Sequence, residues 1–519
     1  MIETTQHDVN VSRQLPKALT GIKGLDEITG GGLPQGRPTL VCGSAGCGKT
    51  LLAAEFLMRG ALEFNEPGVF MAFEETGEEV AQNLRSLGFD LEQLIAEKKV
   101  LFDYVRLERG EIEETGEYDL EGLFVRLGYA IDSIGAKRVV LDTIEALFGG
   151  LSNAAVLRSE LRRLFRWLKD KGVTAIVTGE RGDKTLTRQG LEEYVSDCVI
   201  LLDHRVTANQ STRRLRIVKY RGSVHGTDEY PFLIDENGIS VLPVTSLELQ
   251  HSASNERVST GIAAFDAMLS GGYFRASTIL VSGTAGTGKT SLAAVFVDAA
   301  CRRGERCIYF AFEESQAQAV RNMRSIGIDL EPWLHKNLLR FHATRPTGYG
   351  LEMHLATMHK LIEKFDPAVV VIDPISNMTQ AGSLAETRVM LMRLIDFVKT
   401  RGITALLTNL ASRVDDEEHT EAGISSLVDT WLLIRDFESG NERERAFNVL
   451  KSRGMSHSRH VHRLLMSSRG VEIIDAPSKS VAHLPDVRSK RSVRSVTVKK
   501  ARMTARQHAR PPRRSGGSR

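Results

Sequence analysis

Residues 43–50 read GSAGCGKT, and residues 283–290 read GTAGTGKT. Both fit GxxxxGK[ST]. An apolar β-branched run precedes each one, TLVC at 39–42 and TILVS at 278–282. An apolar stretch with helical period follows, LLAAEFLMRGA at 51–61 and SLAAVFVDAACRR at 291–303. Strand, glycine loop and helix in that order form the phosphate-binding P-loop. The loop's backbone N–H groups turn inward around a phosphate at a helix N-terminus, where the dipole favours an anion. Gly43, Ser44, Ala45, Gly46, Cys47 and Gly48 are therefore expected to cradle a nucleotide's phosphates, as are Gly283, Thr284, Ala285, Gly286, Thr287 and Gly288. Lys49 and Lys289 reach the β- and γ-phosphates, and Thr50 and Thr290 offer hydroxyls to Mg²⁺. A single match can be a glycine-rich turn that binds nothing. Two matches in one structural context argue against that.

Working outward, the two loops belong to a longer repeat. Thr20-Gly21-Ile22 recurs as Thr260-Gly261-Ile262, and Asp26 recurs as Asp266. MAFEE at 71–75 returns as FAFEE at 310–314, and RVVLD at 138–142 returns as VVVID at 369–373. Lys219-Tyr-Arg221-Gly returns as Lys451-Ser-Arg453-Gly. A chain of 519 residues exceeds the ~250–300 residues that one core supports, so a duplicated domain fits the length. The expected halves are residues 1–247 and 248–475, with a linker near SLELQHSASNERVST and a tail over 476–519. Buried apolar runs (TLVCG, GVFMAF, VLFDYV, RVVLD, TAIVTG) alternate with amphipathic stretches (EEVAQNLRSLGF, VLRSELRRLFRWLKDKG). That alternation predicts an α/β fold with a mainly parallel sheet in each half.

Asp142 and Asp373 end apolar strands, where ligands of open α/β sheets bind, so they are expected to hold Mg²⁺. Either could simply end a strand. Glu74-Glu75 and Glu313-Glu314 lie just past another strand, where a carboxylate can activate a water or hydroxyl. A solvated pair at a helix N-terminus is the alternative. Lys219/Arg221 and Lys451/Arg453 are candidates for phosphate contacts supplied in trans, or else for basic strand edges.

These motifs together resemble the RecA-like ATPases. The tandem arrangement resembles the KaiC family over about residues 12–475, most specifically in KYRGSVHGTDEYPFLIDENGISVLP at 219–243. The resemblance implies a homohexameric double ring with ATP between subunits. It also implies a slow ATPase in the N-terminal half and an autokinase and autophosphatase in the C-terminal half, in circadian-type timing or signalling. Lys219, Arg221 and His225, with Lys451, Arg453 and His457, then look like the residues that reach the neighbour's nucleotide. GISSLVDT at 423–430 offers Ser425 and Ser426 as phosphoacceptors, beside Thr420. The first half reads Glu192-Glu193-Tyr194-Val195 there and lacks both serines. Helix or turn capping is the other reading of the serines. A second functional class is a DNA-dependent ATPase of the RecA or DnaB type, since RecA-like domains also drive those motors.

The resemblance stops near residue 475, before the place where the family docks its activator KaiA. A KaiB-like partner is compatible with the N-terminal half. Net charge is +3, yet residues 488–519 carry 12 Lys/Arg and no acid, which leaves 56 basic against 65 acidic residues and a body of −9. Such a tail is expected to be disordered and to meet an anionic partner or nucleic acid. The N-terminus has no apolar signal segment, no run spans a bilayer, and the five cysteines form no CxxC pair. These features predict a cytoplasmic protein with reduced thiols.

Overall fold

The computed structural model describes residues 15–105, 120–148, 154–182, 186–187, 196–207, 210–243, 254–411, 424–439 and 442–475. Two nine-stranded sheets carry the chain, one drawn from each half of the repeat. In the first, the spatial order is Gly238–Val241, Tyr230–Asp235, Gln210–Tyr220, Cys198–Thr207, Pro38–Gly43, Thr174–Glu180, Arg138–Asp142, Gly68–Ala72, Val100–Tyr104. The last six of these run parallel, and the first three are added antiparallel. The second sheet repeats the plan around Thr278–Gly283, flanked by Thr404–Leu410 and Thr430–Ser439. The α/β fold with tandem, mainly parallel sheets is as the sequence predicts.

Burial explains the strand chemistry. Every residue of Pro38–Gly43, Gly68–Ala72 and Arg138–Asp142 is buried, as are those of Thr278–Gly283, Cys307–Ala311 and Val369–Asp373. Helices cover both faces, so central strands cannot alternate apolar with polar. The amphipathic stretches form helices Gly77–Arg85 and Ala154–Asp170, and Gly172 follows the latter with φ of 71°. All five cysteines are buried and none is part of a disulfide. The Thr-Gly-Ile repeat also gains a reason. Asp26 accepts from Thr20 N and Thr20 Oγ1 at 2.8 and 2.7 Å, and Asp266 accepts from Thr260 N and Oγ1 at 2.7 Å each.

A short ladder lies inside the polar stretch between the halves. Arg257–Val258, inside the polar stretch read as a connector, pairs with Tyr273–Phe274 and so belongs to the second half. Lys17–Ala18 pairs with Leu33–Pro34 in the same way. Two residues suffice because a backbone ladder needs no apolar side chains. The tail at 476–519 lies outside the described residues. Among those described, no helix is long and apolar enough to cross a membrane.

The halves meet along the helix Leu351–Phe365. Lys360 bonds Asp235 at 2.5 Å, Glu352 accepts from Arg214 at 2.8 Å, and Lys23 bonds Glu363. Beside these pairs the His359 ring stacks on Phe397, with centroids 3.6 Å apart. Its Nε2 is buried without a hydrogen-bond partner. Burial, then the positive charges of Arg401 and Lys23, push the imidazole down to about 3. An unfolded histidine titrates near 6.5, so below that pH the unfolded chain takes up the proton first. Stability is then lost by about 1.4 kcal/mol per pH unit until the folded value is reached. The variant His359→Phe keeps the stack and removes the titration. We expect its urea midpoint to fall less than the parent's as pH drops from about 7.5 to about 5.5; parallel pH curves would contradict this assignment.

Candidate functional site

In each half the P-loop sits at the carboxyl end of the central strand. Gly48 and Gly288 open the helices Lys49–Glu63 and Lys289–Arg302 with φ of 104° and 103°, a left-handed conformation that only glycine adopts cheaply. Gly43 is fixed by close packing, since a Cβ there would lie 2.5 Å from Leu202 O. Lys49 Nζ donates to Gly43 O at 3.0 Å and Ser44 O at 3.2 Å. Lys289 Nζ donates to Gly283 O at 2.9 Å and Thr284 O at 2.8 Å. Both lysines are 8% exposed, so each loop encloses a nearly buried ammonium. Burial lowers the pKa of Lys289, against the opposing pull of Asp373, Glu313 and Asp436. A phosphate placed there offers a stronger, charge-assisted partner than two carbonyls.

The acids converge on the same corner. Asp142 stands opposite Ala72 in the sheet, and Asp373 opposite Ala311. They are 5% and 8% exposed. Thr178 donates to Asp142 and Thr408 to Asp373. Burial raises the pKa of Asp142, countered by bonds from Thr178 and Thr50 and by the charge of Lys49. Tyr309 adds a further donor in the second half, 2.5 Å from Asp373 Oδ2. The sequence reading missed Thr178, Thr408 and Tyr309. The threonines had a signal, because TAIVTG and TALLTN carry them 36 and 35 residues after the acid.

The glutamate pairs divide by position. Glu74 and Glu313 are exposed, while Glu75 and Glu314 are half-buried. Asn83 bonds Glu75, and Asn322 bonds Glu314 at 3.1 Å, so the inner glutamate is held alike in both halves. Glu313 accepts from Asn377 at 3.1 Å. Glu75 Oε2 is buried with no hydrogen-bond partner. Burial, then the charge of Asp142, raise its pKa. A carboxylate primed in this way is suited to take a proton.

The late cations lie elsewhere. Lys219 and Lys451 fall inside the strands Gln210–Tyr220 and Glu442–Ser452, near the amino ends of the parallel strands. Arg221 is 3.6 Å from Asp197, a residue that also pairs with Lys169 at 2.6 Å. Lys451 Nζ donates to Ser425 O and Val428 O, both at 2.8 Å, and Arg453 donates to Ser426 O at 2.8 Å. Those serines form the short turn Ile424–Ser426. Asp429 then bonds Thr278 N at 2.9 Å, at the start of the central strand. The P-loop follows the other end of that six-residue strand, ~20 Å away. His225 stacks on Tyr220 at 6.1 Å, and His457 is half-buried. The structure thus gathers loop, acid and glutamate within each half. It leaves Ser425, Ser426 and the late lysine and arginine at the opposite end of that half's sheet. Thr420 and residues 192–195 lie outside the described residues.

Comparison with known proteins matches both halves of the repeat to one family. The family described as the KaiC ATPase matches residues 18–246 and again 258–478. Circadian clock protein KaiC2 of Synechocystis sp. (strain ATCC 27184 / PCC 6803 / Kazusa) is 59% identical over 472 residues, covering 90% of this chain and 83% of that protein. The circadian clock oscillator protein KaiC of Synechococcus elongatus (strain ATCC 33912 / PCC 7942 / FACHB-805) is 39% identical over 478 residues, covering 91% and 92%. That of Parathermosynechococcus lividus is 39% identical over 472 residues, covering 90% and 87%.

Since each half has its own loop lysine, nucleotide sites should be lost one class at a time. Lys49→Ala and Lys289→Ala are each expected to weaken one class roughly 10–100-fold, the worth of a charged hydrogen bond. Titration with a fluorescent ATP analogue reads this. Weakening of both classes by either change would contradict independent sites.

Proposed function

The chain belongs to the KaiC ATPase family, and on that premise we propose that its N-terminal half transfers the γ-phosphoryl group of ATP to water and its C-terminal half transfers it to Ser425 or Ser426. The border between halves lies near residues 247–248. The observation that carries the reading is the grip of Lys451 and Arg453 on the carbonyls of Ser425 and Ser426, at the sheet end remote from the P-loop. A serine ~20 Å from its own P-loop is out of reach of its own ATP. It can be reached by ATP bound to a neighbour, which supports a ring, a homohexamer in this family, with nucleotide between subunits. Lys219, Arg221 and His225 take the corresponding place in the N-terminal half. Family membership favours this over a DNA-dependent ATPase of the recombinase class.

In the C-terminal half the serine Oγ attacks the γ-phosphorus. The new O–P bond forms as the bond to the β,γ-bridging oxygen breaks, and ADP leaves. The hydroxyl proton passes to Glu313 or Glu314 beside that nucleotide. In the N-terminal half Glu74 or Glu75 takes the proton of water instead. Among the described residues, no three His, Cys, Asp or Glu side chains form a metal cage. The oxygen donors Thr50 with Asp142, and Thr290 with Asp373, suit Mg²⁺, a hard ion that keeps waters and shares phosphate oxygens. That ion supplies charge neutralisation across the β- and γ-phosphates when bound. Five buried cysteines outside any disulfide accord with a cytoplasmic setting. The role belongs to timing or signalling, with a KaiB-like protein as one candidate partner. An anionic partner or nucleic acid is the candidate for the tail at 476–519, whose sequence does not suit KaiA.

Mixed subunits test the transfer. One chain carries Ser425→Ala and Ser426→Ala with its loops intact; the other carries Lys289→Ala with its serines intact. With radiolabelled ATP, label is expected on the second chain, and it should vanish when the first also carries Glu313→Gln and Glu314→Gln. Label that appears only on chains with both an intact loop and intact serines would refute transfer between subunits.

A further inference from the structure

Phe70 and Tyr309 hold the same place in the two halves. Phe70 stands opposite Val140, two residues before the Ala72–Asp142 pair, and Tyr309 stands opposite Val371, two residues before Ala311–Asp373. Each ring stacks on a phenylalanine of the edge strand. Phe70 meets Phe102 with centroids 5.2 Å apart and planes at 14°, and Tyr309 meets Phe341 at 4.8 Å and 25°. The rings are 1% and 2% exposed. A ring alone satisfies the packing in the N-terminal half, so the phenol oxygen is what the C-terminal half adds.

That oxygen has one defined partner, Asp373 Oδ2 at 2.5 Å. The other carboxylate oxygen accepts from Thr408, as Asp142 accepts from Thr178. Asp373 is therefore tied at both oxygens, and its plane cannot rotate without breaking a buried hydrogen bond. In the N-terminal half it is the P-loop hydroxyl of Thr50 that joins Thr178 on the acid. A carboxylate has about four acceptor positions, so two donors still leave room for water or metal.

We propose that Tyr309 is a positioning residue for the C-terminal nucleotide site, locking the plane of Asp373 from the sheet side so that its remaining lone pairs face the P-loop, where the N-terminal half has Phe70 and no phenol oxygen. This rests on Asp373 being the metal-side acid. The tether suits the kinase half. Transfer to a serine on another subunit requires the acid and nucleotide to hold one geometry while the acceptor is docked, whereas a water nucleophile is small and mobile. Donors that orient a metal-side carboxylate typically govern metal affinity by 10–100-fold.

The test uses the full chain with Lys49→Ala, so that the tight class of sites for a fluorescent ATP analogue is the C-terminal one. The Mg²⁺ midpoint for tight binding is measured for Tyr309→Phe and Asp373→Asn, together with Tm and nucleotide affinity in EDTA. Tyr309→Phe should raise the Mg²⁺ midpoint roughly 10–100-fold while metal-free affinity stays within about twofold. A lowered Tm with an unchanged midpoint makes the hydroxyl a packing feature and overturns the inference, provided that Asp373→Asn still shifts the midpoint. If neither variant shifts it, the metal reading of Asp373 falls as well. Should Tyr309→Phe not fold, Phe70→Tyr in a Lys289→Ala chain carries the test. A lower N-terminal midpoint supports the tether, and an unchanged one overturns it.

Discussion

Each half is organised by one constraint: an ammonium and a carboxylate are buried together at the carboxyl ends of two parallel strands that flank a third. Isolated charges in such a place are costly, by several kcal/mol each even after relaxation. The chain meets the cost locally. Loop carbonyls take the protons of Lys49 and Lys289, and threonine hydroxyls from the intervening strand cap Asp142 and Asp373. The glycine at the end of the central strand follows from the same constraint, because a Cβ there would strike the neighbouring strand's carbonyl. The apolar sheet below keeps water from screening these charges, which makes them effective toward a phosphate.

Duplication copies the constraint, and small departures then separate the halves. The ring of Phe70 becomes that of Tyr309, which adds one oxygen on the acid. The segment Glu192–Val195 is replaced by one containing Ser425 and Ser426. Neither change disturbs the core. One exchanges an aromatic ring for another of nearly equal size, and the other lies in a turn whose carbonyls, rather than hydroxyls, are held by Lys451 and Arg453.

Much of this could be read in the sequence, and the parts that could not share a cause. P-loops, strand-ending acids and paired glutamates are local patterns, so spacing exposes them. Buried central strands show as unbroken apolar runs for the same reason. Contacts across the sheet leave no local trace. Tyr309 sits in CIYFAF, where a tyrosine reads as one more aromatic strand former, and its partner lies 64 residues away. The helix Leu351–Phe365 looks like any amphipathic helix, and nothing in its period announces that Lys360 and Glu352 reach the other half. Arg257–Val258 was hidden in a polar stretch because its ladder is made by backbone.

The polarity of the sheet bears on assembly more directly than any motif. In a parallel sheet all carboxyl ends lie on one edge, so loop, acid and glutamate must gather there. The turn before Thr430 enters the sheet from the amino edge, so its serines must lie at the other. No side-chain rotation closes ~20 Å, since even an extended lysine spans only part of it. A domain that keeps donor and acceptor on opposite edges can join them by placing one copy's carboxyl edge against another's amino edge. Such a contact is heterologous, and it closes without free edges when the rotation completes a ring. If Ser425 or Ser426 is the acceptor, as proposed, phosphoryl transfer depends on the subunit contact itself. A shift of the contact by an ångström or two would move the acceptor out of attack distance while leaving each nucleotide pocket intact.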